Sequence, residues 1–166
     1  SMPAALLDVC NRLRPLCGTG GIGVVEPADY MVGQHWLDAV RDLALRFPGL
    51  EADMRQIAHH ITAHGDRKGG IPGVGWLTVI GDRWLGQLGG VETVEAAVRE
   101  LAPRFIVHRW EAGLMIQAGD HPELGDAARD AWPALQVILA RYLTPIRAAP
   151  EGDSATALWL RRFDGR

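Results

Sequence analysis

The run Trp76-Leu77-Thr78-Val79-Ile80, bounded by Gly75 and by Gly81-Asp82, limits what this chain can fold into more than any other stretch. It is β-favouring and nearly continuous in apolar character, the pattern of a central strand covered on both faces. A chain that holds such a strand must lay other elements above and below its sheet. At 166 residues it is long enough to do so around one core, since a domain of that size buries roughly 70% of the surface its unfolded chain exposes. The expectation is a single domain over residues 1–166, with Ser1 set aside as the scar of a cleaved tag.

The elements around that strand follow from periodicity. Leu6, Leu7, Cys10, Leu13, Leu16 and Cys17 make a helical stripe over residues 4–17, with Asp8, Asn11, Arg12 and Arg14 on the other side. Cys10 and Cys17 then share one helix face about 10 Å apart, too far for a disulfide, and read as small buried hydrophobes. The glycines after Cys17 end that helix, and Ile22 to Val25 form a short β-prone segment. Helical spacing returns over 28–47 through Trp36, Leu37, Val40, Leu43 and Leu45, until Phe47-Pro48-Gly49 stops it. Residues 50–65 fit a short helix, and over Ile57 to Thr62 a strand equally; the helix is preferred.

Beyond the central strand, Trp84, Leu85 and Leu88 make one helical turn, and Val91, Val94, Val98 and Leu101 a second stripe before Pro103. Residues 104–110 and 113–118 are two β runs joined by a tight hairpin at Glu111-Ala112-Gly113. Gly119 to Asp130 is a polar, acidic loop. A last long helix covers 130–143 with Trp132, Leu135, Ile138, Leu139 and Tyr142 inward, and a terminal segment carries Leu158, Trp159, Leu160 and Phe163. The order of these elements predicts the α+β class, helices packed on a mostly antiparallel sheet.

Charge and composition exclude several functions. Seventeen basic against twenty acidic residues give a net charge of −3, and no stretch concentrates cations as a phosphate-binding stripe would, which argues against nucleic-acid binding. The apolar runs fall well short of the ~20 residues that cross a bilayer, and no signal peptide is recognisable, so the chain reads as cytoplasmic.

The candidate chemistry is thin. Gly18-Thr19-Gly20-Gly21-Ile22-Gly23 matches G-x-G-x-x-G, but a helix precedes it and a strand follows, the reverse of the dinucleotide-binding frame. His60 and His64, one helical turn apart with Asp66 close behind, could ligate a metal, and they carry the competing reading of a metal-dependent hydrolase. No Glu stands between them as in the zinc helix, and solvated surface histidines explain them better. No G-x-S-x-G elbow appears, and the cysteines lie on an apolar stripe. The reading assigns no catalytic residue, no metal and no cofactor. Trp110, beside Glu111 at the hairpin tip, has the make-up of an interface anchor if it is exposed.

Taken in order, several segments form a pattern: Arg14-Pro15-Leu16 with Gly18 to Gly23; Arg46-Phe47-Pro48-Gly49-Leu50-Glu51; Gly70-Ile71-Pro72-Gly73-Val74-Gly75-Trp76-Leu77-Thr78 into Gly81-Asp82; Leu88-Gly89-Gly90. Gly113-Leu114-Met115-Ile116-Gln117-Ala118-Gly119-Asp120 follows, then Pro122 with Leu124-Gly125-Asp126, Leu143 with Pro145-Ile146-Arg147, and Trp159-Leu160-Arg161-Arg162-Phe163-Asp164. In these segments the chain resembles the type VI secretion immunity family. Two positions depart from the family pattern, Gly75 in place of a polar Asn and Pro72 in place of a Lys.

The resemblance implies a non-enzymatic inhibitor that binds one cognate type VI effector toxin, with a nuclease as the expected toxin. Its modestly acidic surface would be steered to a basic cleft. The contact patch expected on that basis is Trp110 and Glu111 on the hairpin with Asp120, Glu123, Asp126 and Asp130 on the acidic loop, while the motif residues themselves mark the fold.

Overall fold

The computed structural model describes residues 1–24, 40, 42–51, 70–148 and 155–166. Helix α1, Met2–Leu13, opens with Pro3 in its first turn, where a missing N–H costs nothing. It ends at Arg14, which adopts a left-handed conformation (φ 46°) and donates its N–H to the Cys10 carbonyl at 2.9 Å. Strand β1 is Cys17–Gly20 and strand β2 is Leu77–Gly81, every residue of β2 being buried. Helices α2 (Asp82–Gln87) and α3 (Val91–Leu101) lead into strands β3 (Phe105–Trp110) and β4 (Gly113–Ala118). Helix α4 is Ala134–Tyr142 and helix α5 is Ala155–Leu160.

The four strands form one antiparallel sheet in the order β1-β2-β4-β3. Helices on an antiparallel sheet are the architecture the element order implied. Because side chains alternate across a strand, the register sorts the sheet into two faces. Leu77 and Val79 share one face with Gly18 and Gly20 of β1 and with Met115 and Gln117 of β4. Thr78 and Ile80 share the other with Cys17, Thr19, Leu114 and Ile116.

Helix α1 packs on the first face at β1. A Cβ on Gly20 would sit 3.3 Å from Leu6 Cδ2 and 3.5 Å from Leu77 Cδ1, so the bare backbone at Gly20 makes room for Leu6. Helix α3 lies over the second face: Glu95, buried on α3, accepts a hydrogen bond from Arg109 of β3 at 2.5 Å, and Arg109 pairs in register with Leu114. Leu77, Ile80, Leu114, Met115 and Ile116 from the middle of the sheet join Leu85, Val94, Val98, Leu139 and Leu143 from the helices in one buried cluster.

Three sequence expectations shift. Cys17 lies in β1 and not on the face of α1, because the helix stops at Leu13; both cysteines are free, and burial raises each thiol pKa. A strand not expected forms in the glycine segment, Cys17–Gly20, by pairing with β2, while in the β-prone segment 22–25 Gly23 makes an isolated parallel bridge to Glu51 and Val25 lies outside the described residues. Helix α4 begins at Ala134, four residues later than expected, with Pro133 at its N-cap, so Trp132 precedes the helix and is half-buried. The helix expected over 28–47 is seen in residues 42–46, and the helix or strand expected across 50–65 lies outside the described residues after Glu51.

Candidate functional site

The six residues expected to contact a partner come out in two groups at opposite ends of the β3–β4 hairpin. Each strand is six residues long, about 20 Å at the usual rise per residue. Trp110 and Glu111 lie at the turn, while Asp120, Glu123, Asp126 and Asp130 follow the far end of β4.

At the turn, Trp110 pairs with Gly113 across the hairpin, and a Cβ on Gly113 would lie 2.6 Å from Trp110 Cζ2. The indole therefore folds over the glycine and is only 8% exposed, with no hydrogen-bond partner for Nε1 among the described residues. An exposed tryptophan at this tip is not what the chain builds, because the side chain of a strand's last residue still falls on a sheet face. Glu111 does face solvent, and its Oε2 accepts from Arg14 Nη2 at 2.6 Å, tying the hairpin to the end of α1.

At the other end the loop is held from several sides. Gly119, with φ +82°, presents its carbonyl to both Trp76 Nε1 and Gln117 Nε2, each at 2.9 Å. Glu123 Oε1 accepts from Arg104 Nη2 at 3.3 Å. Asp126 accepts from Arg46 at 3.4 Å and faces Arg129 at 3.5 Å, and it caps the amide of Ala128 at 3.1 Å. The Arg46 hydrogen bond is the largest of the effects that hold its carboxyl below the ordinary aspartate range. Asp130, left-handed at φ 52°, accepts from Trp132 Nε1 at 2.8 Å, and Arg166 stacks on that indole at 4.1 Å. Asp120 is exposed and has no side-chain partner among the described residues. Two of the loop's four acids, Glu123 and Asp126, are thus matched inside the chain by arginines.

Sequence reasoning missed a third feature, a buried acid and base at the meeting point of the motif segments. Glu51 Oε2 accepts from Thr19 Oγ1 at 2.7 Å, and its other oxygen lies against Gly75 so closely that a Cβ there would overlap it. Arg162 is fully enclosed. It donates from Nε to the Pro48 carbonyl at 2.7 Å, from Nη2 to that of Val74 at 2.8 Å and from Nη1 to that of Trp159 at 3.0 Å. Its guanidinium lies 3.6 Å from the Trp159 ring centre and 4.6 Å from that of Phe163. Burial brings the Arg162 pKa down to about 10 against the pull of Glu51, while burial pushes Glu51 up against the opposing charge of Arg162.

The segments that join here are Gly18–Gly23, Arg46–Glu51, Gly70–Thr78 and Trp159–Asp164, four of those that carry the family resemblance. A guanidinium inside a protein must have its donors met and its charge opposed, and these segments supply the carbonyls and the nearby carboxylate that do so. The usable sequence signal was the arginine pair Arg161-Arg162 between Trp159 and Phe163 in a largely apolar terminal segment.

No group of three His, Cys, Asp or Glu able to hold a metal ion occurs among the described residues. His60, His64 and Asp66, the basis of the hydrolase reading, lie outside them. No described helix is long and apolar enough to cross a membrane.

Helices layered on one antiparallel sheet, with the buried guanidinium of Arg162 bonded to three backbone carbonyls and Glu51 near it, define an α+β protein. A family model described as type VI immunity for VRR-NUC, TsiV, matches residues 1–163, and the chain belongs to that family. The fold is similar to that of the Pseudomonas aeruginosa T6SS protein PA0821, with a TM-score of 0.76 and 25% identity. The likeness covers 98% of this chain and 48% of that one, so this chain spans about half the length of the solved protein it matches. No curated protein matches significantly.

Proposed function

We propose that this chain is an immunity protein that binds a type VI secretion effector and silences it by occupying its working cleft, without turning over a substrate. The observation that carries this reading is the family match across residues 1–163, and the family's description directs the proposal to a VRR-NUC nuclease as the effector. The complex forms in the cytoplasm, where a nuclease has its substrate.

Trp110, Glu111, Asp120, Glu123, Asp126 and Asp130 remain the proposed contact residues, in two groups. A stable interface takes up about 800 Å² on each partner, an area about 30 Å across, wide enough to reach both ends of a six-residue hairpin. Glu111 and Asp120 contribute directly from exposed positions. Asp126 and Asp130 shape the loop, and Trp110 supports the turn from beneath. A preformed loop loses little freedom on binding, which favours affinity.

The test is to mix the purified chain with the VRR-NUC effector encoded beside it and to follow complex formation and DNA cleavage. A submicromolar one-to-one complex that abolishes cleavage is expected. Absence of such a complex, or survival of cells that lack the chain when the effector is expressed, overturns the reading.

A further inference from the structure

Strand β3 closes the sheet order, with β4 on one side and no described strand on the other. The pairing fixes which of its backbone groups point outward. Ala118 donates its N–H to the Trp76 carbonyl at 2.8 Å, so Ala118, Ile116 and Leu114 turn their backbone toward β2. The alternate residues Gly113, Met115 and Gln117 therefore bond Trp110, His108 and Ile106 of β3. Phe105, Val107 and Arg109 face away from β4, and Phe105 accordingly donates its N–H to the Ala102 carbonyl at 3.2 Å. The N–H and C=O groups of Val107 and Arg109 have no backbone partner among the described residues.

Such an edge is a template for another strand. The sequence Phe105-Ile106-Val107-His108-Arg109-Trp110 has strand propensity along its length and holds no proline or glycine, and Ile106 is 38% exposed. An antiparallel edge is also its own complement. A second copy turned about a twofold axis at Val107 presents the same row of groups, and two four-stranded sheets would join into one.

One residue stands against that pairing. Arg109 is the only side chain of β3 that is charged at every working pH, and it lies exposed on the open part of the edge. Its guanidinium is fixed in place: Glu95 of α3 accepts from it at 2.5 Å and Glu92 at 3.2 Å, while Arg99 meets the other oxygen of Glu95 at 2.5 Å. Glu95 is buried, whereas Glu92, Arg99 and Arg109 are exposed. A strand laid beside Val107 and Arg109 would press its side chains against this cluster and take charged groups out of water, which opposes the gain from new backbone hydrogen bonds.

We propose that Arg109, held by Glu95 and Glu92, guards the open edge of β3 and keeps copies of this chain from pairing through it. The cluster thus has a task beyond joining α3 to the sheet.

The test compares the wild type with Arg109→Thr and with Arg109→Thr combined with Glu95→Gln, each also carrying Ile106→Lys, by analytical ultracentrifugation across a concentration series beside thermal melts. Threonine keeps the strand propensity and removes the charge. Glu95→Gln removes the buried acid that the first change leaves with Arg99 alone, so the second variant folds without a stranded carboxylate. The wild type is expected to sediment as a monomer, and the Arg109→Thr forms to at least double in apparent mass as concentration rises. Ile106→Lys restores a charge to the same strand without giving Glu95 a partner, so it should return them to monomer. Folded Arg109→Thr forms that stay monomeric at every concentration overturn the guard. So does self-association that Ile106→Lys leaves in place, because Arg109 then acts only as a support for Glu95. A wild-type dimer that Ile106→Lys dissociates also overturns it, since the edge is then already paired.

Discussion

The carboxylate of Glu51 rests on the bare α-carbon of Gly75, in a space that a single methyl group would fill. The contact joins the segment that ends in Glu51 to the glycine turn that leads into β2, and Thr19 of β1 completes it with a 2.7 Å hydrogen bond. A glycine is required by the approach, not by its backbone angles, since Gly75 does not adopt a positive φ.

Gly75→Ala should therefore destabilise the protein by about 1–3 kcal/mol, the usual consequence of forcing volume into a packed interior. Urea unfolding of the variant against the wild type measures it. A change within about 0.5 kcal/mol, typical of an unconstrained surface site, would show that the carboxylate moves aside freely.

Arg162→Ala strips the Pro48 and Val74 carbonyls of their donors and leaves Glu51 without its opposing charge. Each buried acceptor left without a donor typically costs about 1–3 kcal/mol. The double variant with Glu51→Gln should cost less than the sum of the two single changes, because the groups face a shared environment. Denaturant titrations of the three variants close the cycle, and strict additivity would disconnect the two residues.

Acidity acts on Glu51 and Asp126 in opposite senses. Glu51 is held above the ordinary glutamate value, chiefly by burial. Its contribution to stability is complete below its unfolded-state pKa and is lost as pH rises through the higher folded-state value. Asp126 is held below the ordinary aspartate value, chiefly by the hydrogen bond from Arg46. Its contribution is present above the unfolded-state pKa and fades as pH falls through the folded one. The stability of Glu51→Gln relative to wild type should accordingly increase from about pH 4 to about pH 8, and that of Asp126→Asn relative to wild type should decrease as pH rises from about 2 to about 5. Melting curves across that range decide it; parallel profiles for wild type and Glu51→Gln would refute the assignment to Glu51.

The hairpin turn separates structure from recognition. Arg14 and Glu111 are both exposed, so Glu111→Ala should change stability by no more than about 1 kcal/mol, yet weaken effector binding. Gly113→Ala should destabilise the fold itself, because the added carbon would meet the Trp110 ring at 2.6 Å and the Ile80 carbonyl. Thermal melts with effector titrations distinguish the two. Equal loss of binding and of stability in Glu111→Ala would reduce Glu111 to a structural role.

Much of the sheet was legible in the sequence because its signals are local. Residues 76–80 have the unbroken apolar character of a doubly covered strand, and β2 is buried throughout. The two β runs on either side of Glu111-Ala112 pair in the register that a two-residue turn imposes. The stripe from Val91 to Leu101 is helix α3, with Val94 and Val98 buried. Each of these depends on spacings of a few residues, which the backbone geometry of one element sets by itself.

The rest needed the tertiary structure, because it depends on residues brought together from distant parts of the chain. Cys17–Gly20 has little strand propensity of its own and becomes a strand by pairing with β2 beneath Leu6. Trp110 is buried by the glycine opposite it, which its neighbours in sequence do not reveal. Glu51 and Arg162 stand in two distant segments of the sequence, and only the folded chain brings them near each other. Propensity and periodicity determine which elements form, while packing, burial and opposed charge act through space and decide which side chains end inside and which faces stay open.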